Sequence, residues 1–118
     1  MSYCVMISGS RYWDDMELEQ KISWMFSQLP PGTLILHGGA RGVDSVAERM
    51  APRFGFITKV FLPDWNKYGK AAGPMRNSDM LFQANYVFLF HKDISSSKGT
   101  KDVLIKCRKM GKPHMLIE

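Results

Sequence analysis

The amino-acid sequence predicts a three-layer α/β domain built on a five-stranded parallel sheet, and three observations carry that expectation. Short apolar runs alternate with amphipathic stretches four times and close on a fifth run. The runs are continuously apolar rather than alternating, the pattern of strands covered by helices on both faces. Glycine- and serine-rich segments fall directly after the runs, where strands hand over to helices. The 118 residues are read as one domain spanning 1–118, against a prior of about 150 residues per domain.

The first run, Val5, Met6 and Ile7, stops at Ser8-Gly9-Ser10. Leu18, Ile22, Met25 and Leu29 then recur at helical spacing, with Asp14 as N-cap and Glu17 three residues on, and Pro30-Pro31-Gly32 ends the helix. Residues 33–37 form the second strand, followed at once by Gly38-Gly39-Ala40-Arg41-Gly42. A second helix carries Val43, Val46, Ala47, Met50 and Phe54, closed by Gly55. Residues 56–62 are a third strand, rich in β-branched and aromatic side chains. Residues 63–73 are too polar and too punctuated by Gly and Pro for a core element. Pro74 opens a third helix running to about Ala84, with Arg76 and Asn77 in its first turn, and residues 86–90 form the fourth strand. A serine-rich loop over 93–99 leads to a fourth helix capped by Thr100 and bearing Val103, Leu104, Cys107 and Met110; Gly111 ends it before a last strand at 114–117. The nine methionines read mostly as core, and Trp24 as structural.

Composition narrows the function classes. With 45% hydrophobic, 12% aromatic and 23% charged residues the chain is a folded globule. A formal charge of +5 favours anionic partners without choosing among nucleotides, phosphates and nucleic acid. Cys4 and Cys107 make no disulfide framework, and His37, His91 and His114 are scattered, so no metal site and no cofactor is read from the pattern. The N-terminal residues lack a secretory pattern and no apolar run approaches the roughly 20 residues of a membrane helix. The expectation is a soluble, cytoplasmic protein with no membrane partner.

In open α/β sheets ligands bind at the carboxyl ends of strands, where strand order reverses. Three unusual loops sit there: Ser8-Gly9-Ser10-Arg11, Gly38 to Asp44, and Ser95-Ser96-Ser97-Lys98-Gly99-Thr100. If they form one site, the order 3-2-1-4-5 follows, because it flanks the first strand with the second and the fourth. Gly38, Gly39 and Gly42 let backbone approach a ligand closely, the next helix N-terminus suits a phosphate, and Arg41 adds a bidentate donor. The plainer alternative is a tight turn with a solvated arginine. This is neither a P-loop nor a dinucleotide fingerprint, since Gly-Lys-Ser/Thr and an early G-x-G-x-x-G are missing. Arg11 reaches toward the cleft or lies on the surface. Arg76 at a helix start gains nothing from the dipole, so a local anion explains it. Trp65 and Tyr68 stack on a base or pack the loop down. Asp44 stabilises the helix dipole, accepts from a ribose hydroxyl or holds Arg41; His37 is an acid–base group or a hydrogen-bonded strand-end residue.

Taken in order, Gly9-Ser10-Arg11, His37-Gly38-Gly39-Ala40-Arg41-Gly42-Val43-Asp44, Pro63-Asp64-Trp65, Tyr68-Gly69-Lys70-Ala71-Ala72-Gly73-Pro74-Met75-Arg76-Asn77 and Gly99-Thr100 resemble the YspA-like branch of the SLOG superfamily over nearly the whole chain. The superfamily also holds the Lonely Guy phosphoribohydrolases and DNA-processing protein A. The resemblance implies a Rossmann-like fold and the binding, sensing or processing of a nucleotide or nucleotide-derived ligand. Gly9, Ser10, Arg11, Gly38, Gly39, Ala40, Arg41, Gly42, Asp44, Arg76, Asn77, Ser97, Gly99 and Thr100 would hold it, with Trp65 or Tyr68 over the base. It also implies a homo-oligomer in which a neighbour completes the site. By likeness to the Lonely Guy enzymes, an alternative is a nucleotide N-glycosidase. Arg76 would then orient the substrate and Asp102 or Asp44 supply the carboxylate, because the position of their glutamate is Val103 here. Asp102 is offset from it by about 100° around the helix. A further alternative is single-stranded nucleic-acid binding.

Overall fold

A computed structural model describes residues 3–9, 13–92 and 97–118. The elements run β1 (Cys4–Gly9), α1 (Asp15–Ser27), β2 (Leu34–His37), α2 (Val43–Met50), β3 (Ile57–Val60), α3 (Trp65–Tyr68), α4 (Ala72–Gln83), β4 (Tyr86–Phe90), α5 (Lys98–Met110) and β5 (His114–Ile117). Short 3₁₀ turns, Ala51–Phe54 and Gly69–Ala71, follow α2 and α3.

The five strands form one sheet in the order β3-β2-β1-β4-β5, and every pair is parallel. This is the α/β, Rossmann-like arrangement expected. Alternate residues of each strand point to opposite faces, and the two cores follow from that. Val5, Ile7, Ile35, Phe88 and Phe90 pack against α1 and α2. Met6, Leu36, Val87 and Leu89 pack against α4 and α5. Burial of each such side chain contributes about 1.5–3 kcal/mol. On the first face Phe26 meets the rings of Phe54 and Phe56 edge-on, each at 5.2 Å between centroids. On the second, Cys107 is fully buried, which pushes its thiol up to about 11 and leaves it a hydrophobe.

Local signals placed most helix ends. Asp14 Oδ2 accepts from the Glu17 amide at 3.2 Å. Gly55 (φ 77°) and Gly111 (φ 68°) take the left-handed conformation that ends their segments. Other expectations are corrected. Ser97, not Thr100, caps α5, its Oγ accepting from the Thr100 amide at 3.2 Å. The helix therefore starts two residues earlier than Thr100, and Asp102 lies in its second turn. Similarly α4 begins at Ala72, so Arg76 and Asn77 are also in a second turn. The second helix stops at Met50 and continues to Phe54 only as a 3₁₀ turn. The third strand is four residues long and mostly exposed. As a sheet edge it has a neighbour on one side only, so its apolar composition did not report two-sided burial. Residues 63–73 are not a plain loop, because Asp64 caps the single turn of α3 through the Lys67 amide. Trp24 is 49% exposed, and Met16, Met75, Met110 and Met115 are exposed while Met6, Met25, Met50 and Met80 are buried. Helical spacing alone does not say which face the sheet covers.

Among the described residues no helix is long and apolar enough to cross a membrane.

Candidate functional site

Strand order brings the ends of β1, β2 and β4 together, and Gly9 shows how closely. A Cβ added there would lie 2.6 Å from the Phe90 carbonyl oxygen and 2.6 Å from Val43 Cγ2. The chain leaving β2 then curls back on itself. Gly39 (φ 73°) and Gly42 (φ 81°) take left-handed conformations that a side chain disfavours, and the curl folds the amides of residues 38–40 onto α2 and β2. Asp44 Oδ2 accepts from Gly38 N at 3.1 Å and Ala40 N at 3.0 Å. Gly39 N donates to His37 Nδ1 at 3.0 Å. The amides of residues 38–40 are therefore engaged within the protein.

Asp44 is 5% exposed, and among the described residues its Oδ1 has no hydrogen-bond partner. Burial pushes its carboxyl above the ordinary carboxylate range, against the pull of the Ala40 and Gly38 amides and the Arg76 charge. His37 is a hydrogen-bonded strand-end residue. With Nδ1 accepting from Gly39, its proton sits on Nε2, which donates to Glu48 Oε2. That bond holds the Glu48 carboxyl below its usual range.

Arg76 reaches across from α4 to close the loop. Its Nε donates to Asn77 Oδ1 at 3.0 Å, and its Nη1 donates to the carbonyls of Gly38 at 3.1 Å and Phe61 at 3.3 Å. Among the described residues Nη2 has no hydrogen-bond partner. Gly38 makes this fit possible, because a Cβ there would sit 2.3 Å from Nη1. Burial lowers the guanidinium pKa and the Asp44 charge raises it, leaving a cation. Asn77 Nδ2 donates to Asp102 Oδ2 at 3.2 Å, and Lys106 Nζ reaches the same oxygen at 2.9 Å.

Between these groups lies a cleft of about 140 Å³. Of the residues expected at a site, Gly9, Gly38, Ala40, Asp44, Arg76, Asn77, Ser97, Gly99 and Thr100 line it. Ser8 joins them, its hydroxyl 3.5 Å from Thr100 Oγ1. Gly39 instead borders a neighbouring hollow with His37, Ser45 and Glu48. Gly42 is the N-cap of α2, and Arg41 is exposed without a hydrogen-bond or ion-pair partner among the described residues. Neither lines the cleft, and neither do Asp102, Trp65 or Tyr68. Asp102 is committed to Asn77 and Lys106, tying α5 to α4. Trp65 is 57% exposed, with its ring lying where a Cβ on Gly73 would be 3.2 Å away, so it packs its loop onto α4. Tyr68 is exposed beside Lys67, whose ammonium sits 5.1 Å from its ring centroid. Ser10, Arg11, Ser95 and Ser96 lie outside the described residues. Among the described residues no group of three His, Cys, Asp or Glu could hold a metal ion.

Sequence reasoning missed Glu48 and Trp13. Glu48 stands four residues after Asp44, so the spacing puts both carboxylates on one helix face beside the end of β2. Trp13 gave no signal. It is buried, edge-on to Phe90 at 6.5 Å, and its Nε1 donates to the Phe90 carbonyl at 3.1 Å, bracing the end of β4.

The segment carrying β1, the glycine loop, Asp44 and the Arg76 acceptor Phe61 falls within residues 3–68, which match the model of the YspA, cpYpsA-related SLOG family. The chain belongs to that family. As a SLOG protein it is similar to the Gene 61 protein of Mycobacterium phage D29, with 32% identity over 115 residues, covering 92% of this chain and 91% of the phage protein. No solved structure matches this SLOG chain. The family match ends before Arg76 and α5, so the second wall of the cleft rests on the geometry above.

Proposed function

We propose that this protein binds a nucleotide or nucleotide-derived small molecule in the cleft at the carboxyl ends of β1, β2 and β4. The observation that carries the reading is that the N-terminus of α5, with Ser97, Gly99 and Thr100, and Arg76, whose Nη2 has no hydrogen-bond partner among the described residues, line one cleft. A helix N-terminus and a guanidinium both favour an anion. Membership in a SLOG family, associated with nucleotide-related ligands, supports the same class. The phosphate sits toward Gly99 and the Thr100 hydroxyl rather than on the amides of residues 38–40, which are engaged. The cleft is smaller than the roughly 300–1,000 Å³ that encloses a drug-sized ligand. It therefore takes the phosphate and sugar, and the base lies over its mouth.

Thermal denaturation with AMP, ADP-ribose, NAD, cyclic AMP and a short single strand tests this. A ligand at 100 times its Kd adds about 2.7 kcal/mol, a shift of roughly 10 °C for a domain of this size. The expected result is a shift with nucleoside phosphates that shrinks in Arg76→Gln relative to that variant's own midpoint. A flat response across the panel overturns the reading, and a shift with the single strand alone moves it to nucleic acid.

A further inference from the structure

A phosphate that takes one Nη2 hydrogen of Arg76 leaves the Asp44 side of the cleft unexplained. There a buried carboxylate oxygen, Asp44 Oδ1, accepts no hydrogen bond, and an arginine nitrogen, Arg76 Nη2, donates none among the described residues. Both residues line the same cleft. An unpaired buried acceptor is costly, and Asp44 is fixed in place by two backbone amides, so its second oxygen cannot rotate out without breaking them.

The two groups specify an occupant. A second phosphate is excluded, because it would bring negative charge against Asp44 in a confined, partly desolvated space. A cationic group satisfies Asp44 but opposes Arg76. A hydroxyl serves both, since its oxygen accepts from Nη2 while its hydrogen goes to Oδ1. The edge of a base offers the same pairing of donor and acceptor but needs more room than about 140 Å³ leaves beside a phosphate.

We infer that the Asp44–Arg76 wall receives a ribose hydroxyl, so that the ligand is a ribonucleotide or ribose phosphate and Asp44 is the residue that discriminates against deoxyribose. This rests on the nucleotide reading above and adds the class of sugar. Asp44 acts here as a specificity residue, and no bond is made or broken.

Isothermal titration calorimetry with ribose 5-phosphate, 2-deoxyribose 5-phosphate, AMP, 2′-deoxy-AMP and 3′-deoxy-AMP tests it. A hydrogen bond to a charged group implies that removing the recognised hydroxyl weakens binding about tenfold or more. In Asp44→Asn the amide oxygen can still accept from Gly38 and Ala40, while an NH₂ replaces the unpartnered acceptor. The ribose preference is then expected to shrink several-fold, since the hydroxyl hydrogen loses its charged acceptor even though its oxygen can accept from the new NH₂. Circular dichroism checks the fold, and the wild-type comparison stands alone where Asp44→Asn does not fold. Equal affinity for ribose and both deoxy ligands overturns the inference but leaves the nucleotide reading intact. So does a ribose preference that is undiminished in a folded Asp44→Asn, or binding that needs the base and ignores the sugar. Failure of every ligand, ribose or deoxyribose, overturns the nucleotide reading itself.

Discussion

Replacing Gly38 by alanine probes the joint on which the cleft depends. Gly38 does not have a positive φ, so alanine is conformationally acceptable there. The conflict is with Arg76 alone: the new Cβ would lie 2.3 Å from Nη1 and 2.8 Å from Cζ. Because those atoms end a flexible side chain, the guanidinium retreats rather than the backbone. Retreat breaks the Nη1 bonds to the Gly38 and Phe61 carbonyls. Hydrogen bonds from a charged group contribute about 1.5–3 kcal/mol when well made, and water entering the open cleft recovers part of that. The net cost is therefore about 1–3 kcal/mol, a fall in Tm of roughly 4–12 °C. Nucleotide binding should weaken with it. The assay is a double-mutant cycle by chemical denaturation, with Gly38→Ala introduced into wild type and into Arg76→Ala. With no guanidinium to displace, the substitution should become nearly neutral in the second background. An equal cost in both backgrounds would falsify the assignment of the clash to Arg76. Gly99→Ala is the control, since a Cβ there meets nothing within 4 Å. It should hold or raise stability, by up to about 1 kcal/mol from helix propensity, while crowding the cleft and lowering nucleotide affinity.

Other substitutions report on the surrounding frame. Trp13→Phe keeps the ring contact with Phe90 but removes the Nε1–H donor to its carbonyl; thermal denaturation should show a loss of about 1–3 kcal/mol, and an unchanged midpoint would mean that the carbonyl has another donor. Glu48 has a lowered folded pKa, so its stabilising contribution is complete above the ordinary value of 4.5 and is lost as pH falls through the folded value. Glu48→Gln should therefore make the acid loss of stability shallower, by under about 1 kcal/mol because the side chain is half exposed; parallel pH profiles for the two proteins would remove this role. Asp44 has the opposite sign. Its raised pKa means that its ionisation costs stability as pH rises from 3.8 through the folded value.

The sequence by itself determined the alternation of strands and helices, the parallel sheet and the strand order, because these follow from apolar periodicity and from where the punctuating loops fall. It also located Gly9, Gly38, Arg76 and Gly99-Thr100, which the fold brings to one cleft. Tertiary structure alone decided what each polar group does there. Asp44, in the first turn of α2 where the dipole, a ribose hydroxyl or Arg41 stood as its partners, also accepts the Gly38 and Ala40 amides. Arg76 finds its carbonyl partner thirty-eight residues back along the chain at Gly38. Asp102, the carboxylate of the alternative glycosidase reading, ties two helices together through Asn77. The division has a physical cause. Burial of apolar surface is non-directional and averages over many residues, so pattern suffices to read it. A hydrogen bond depends on one donor and one acceptor meeting within a few tenths of an ångström, and only the folded chain sets that meeting.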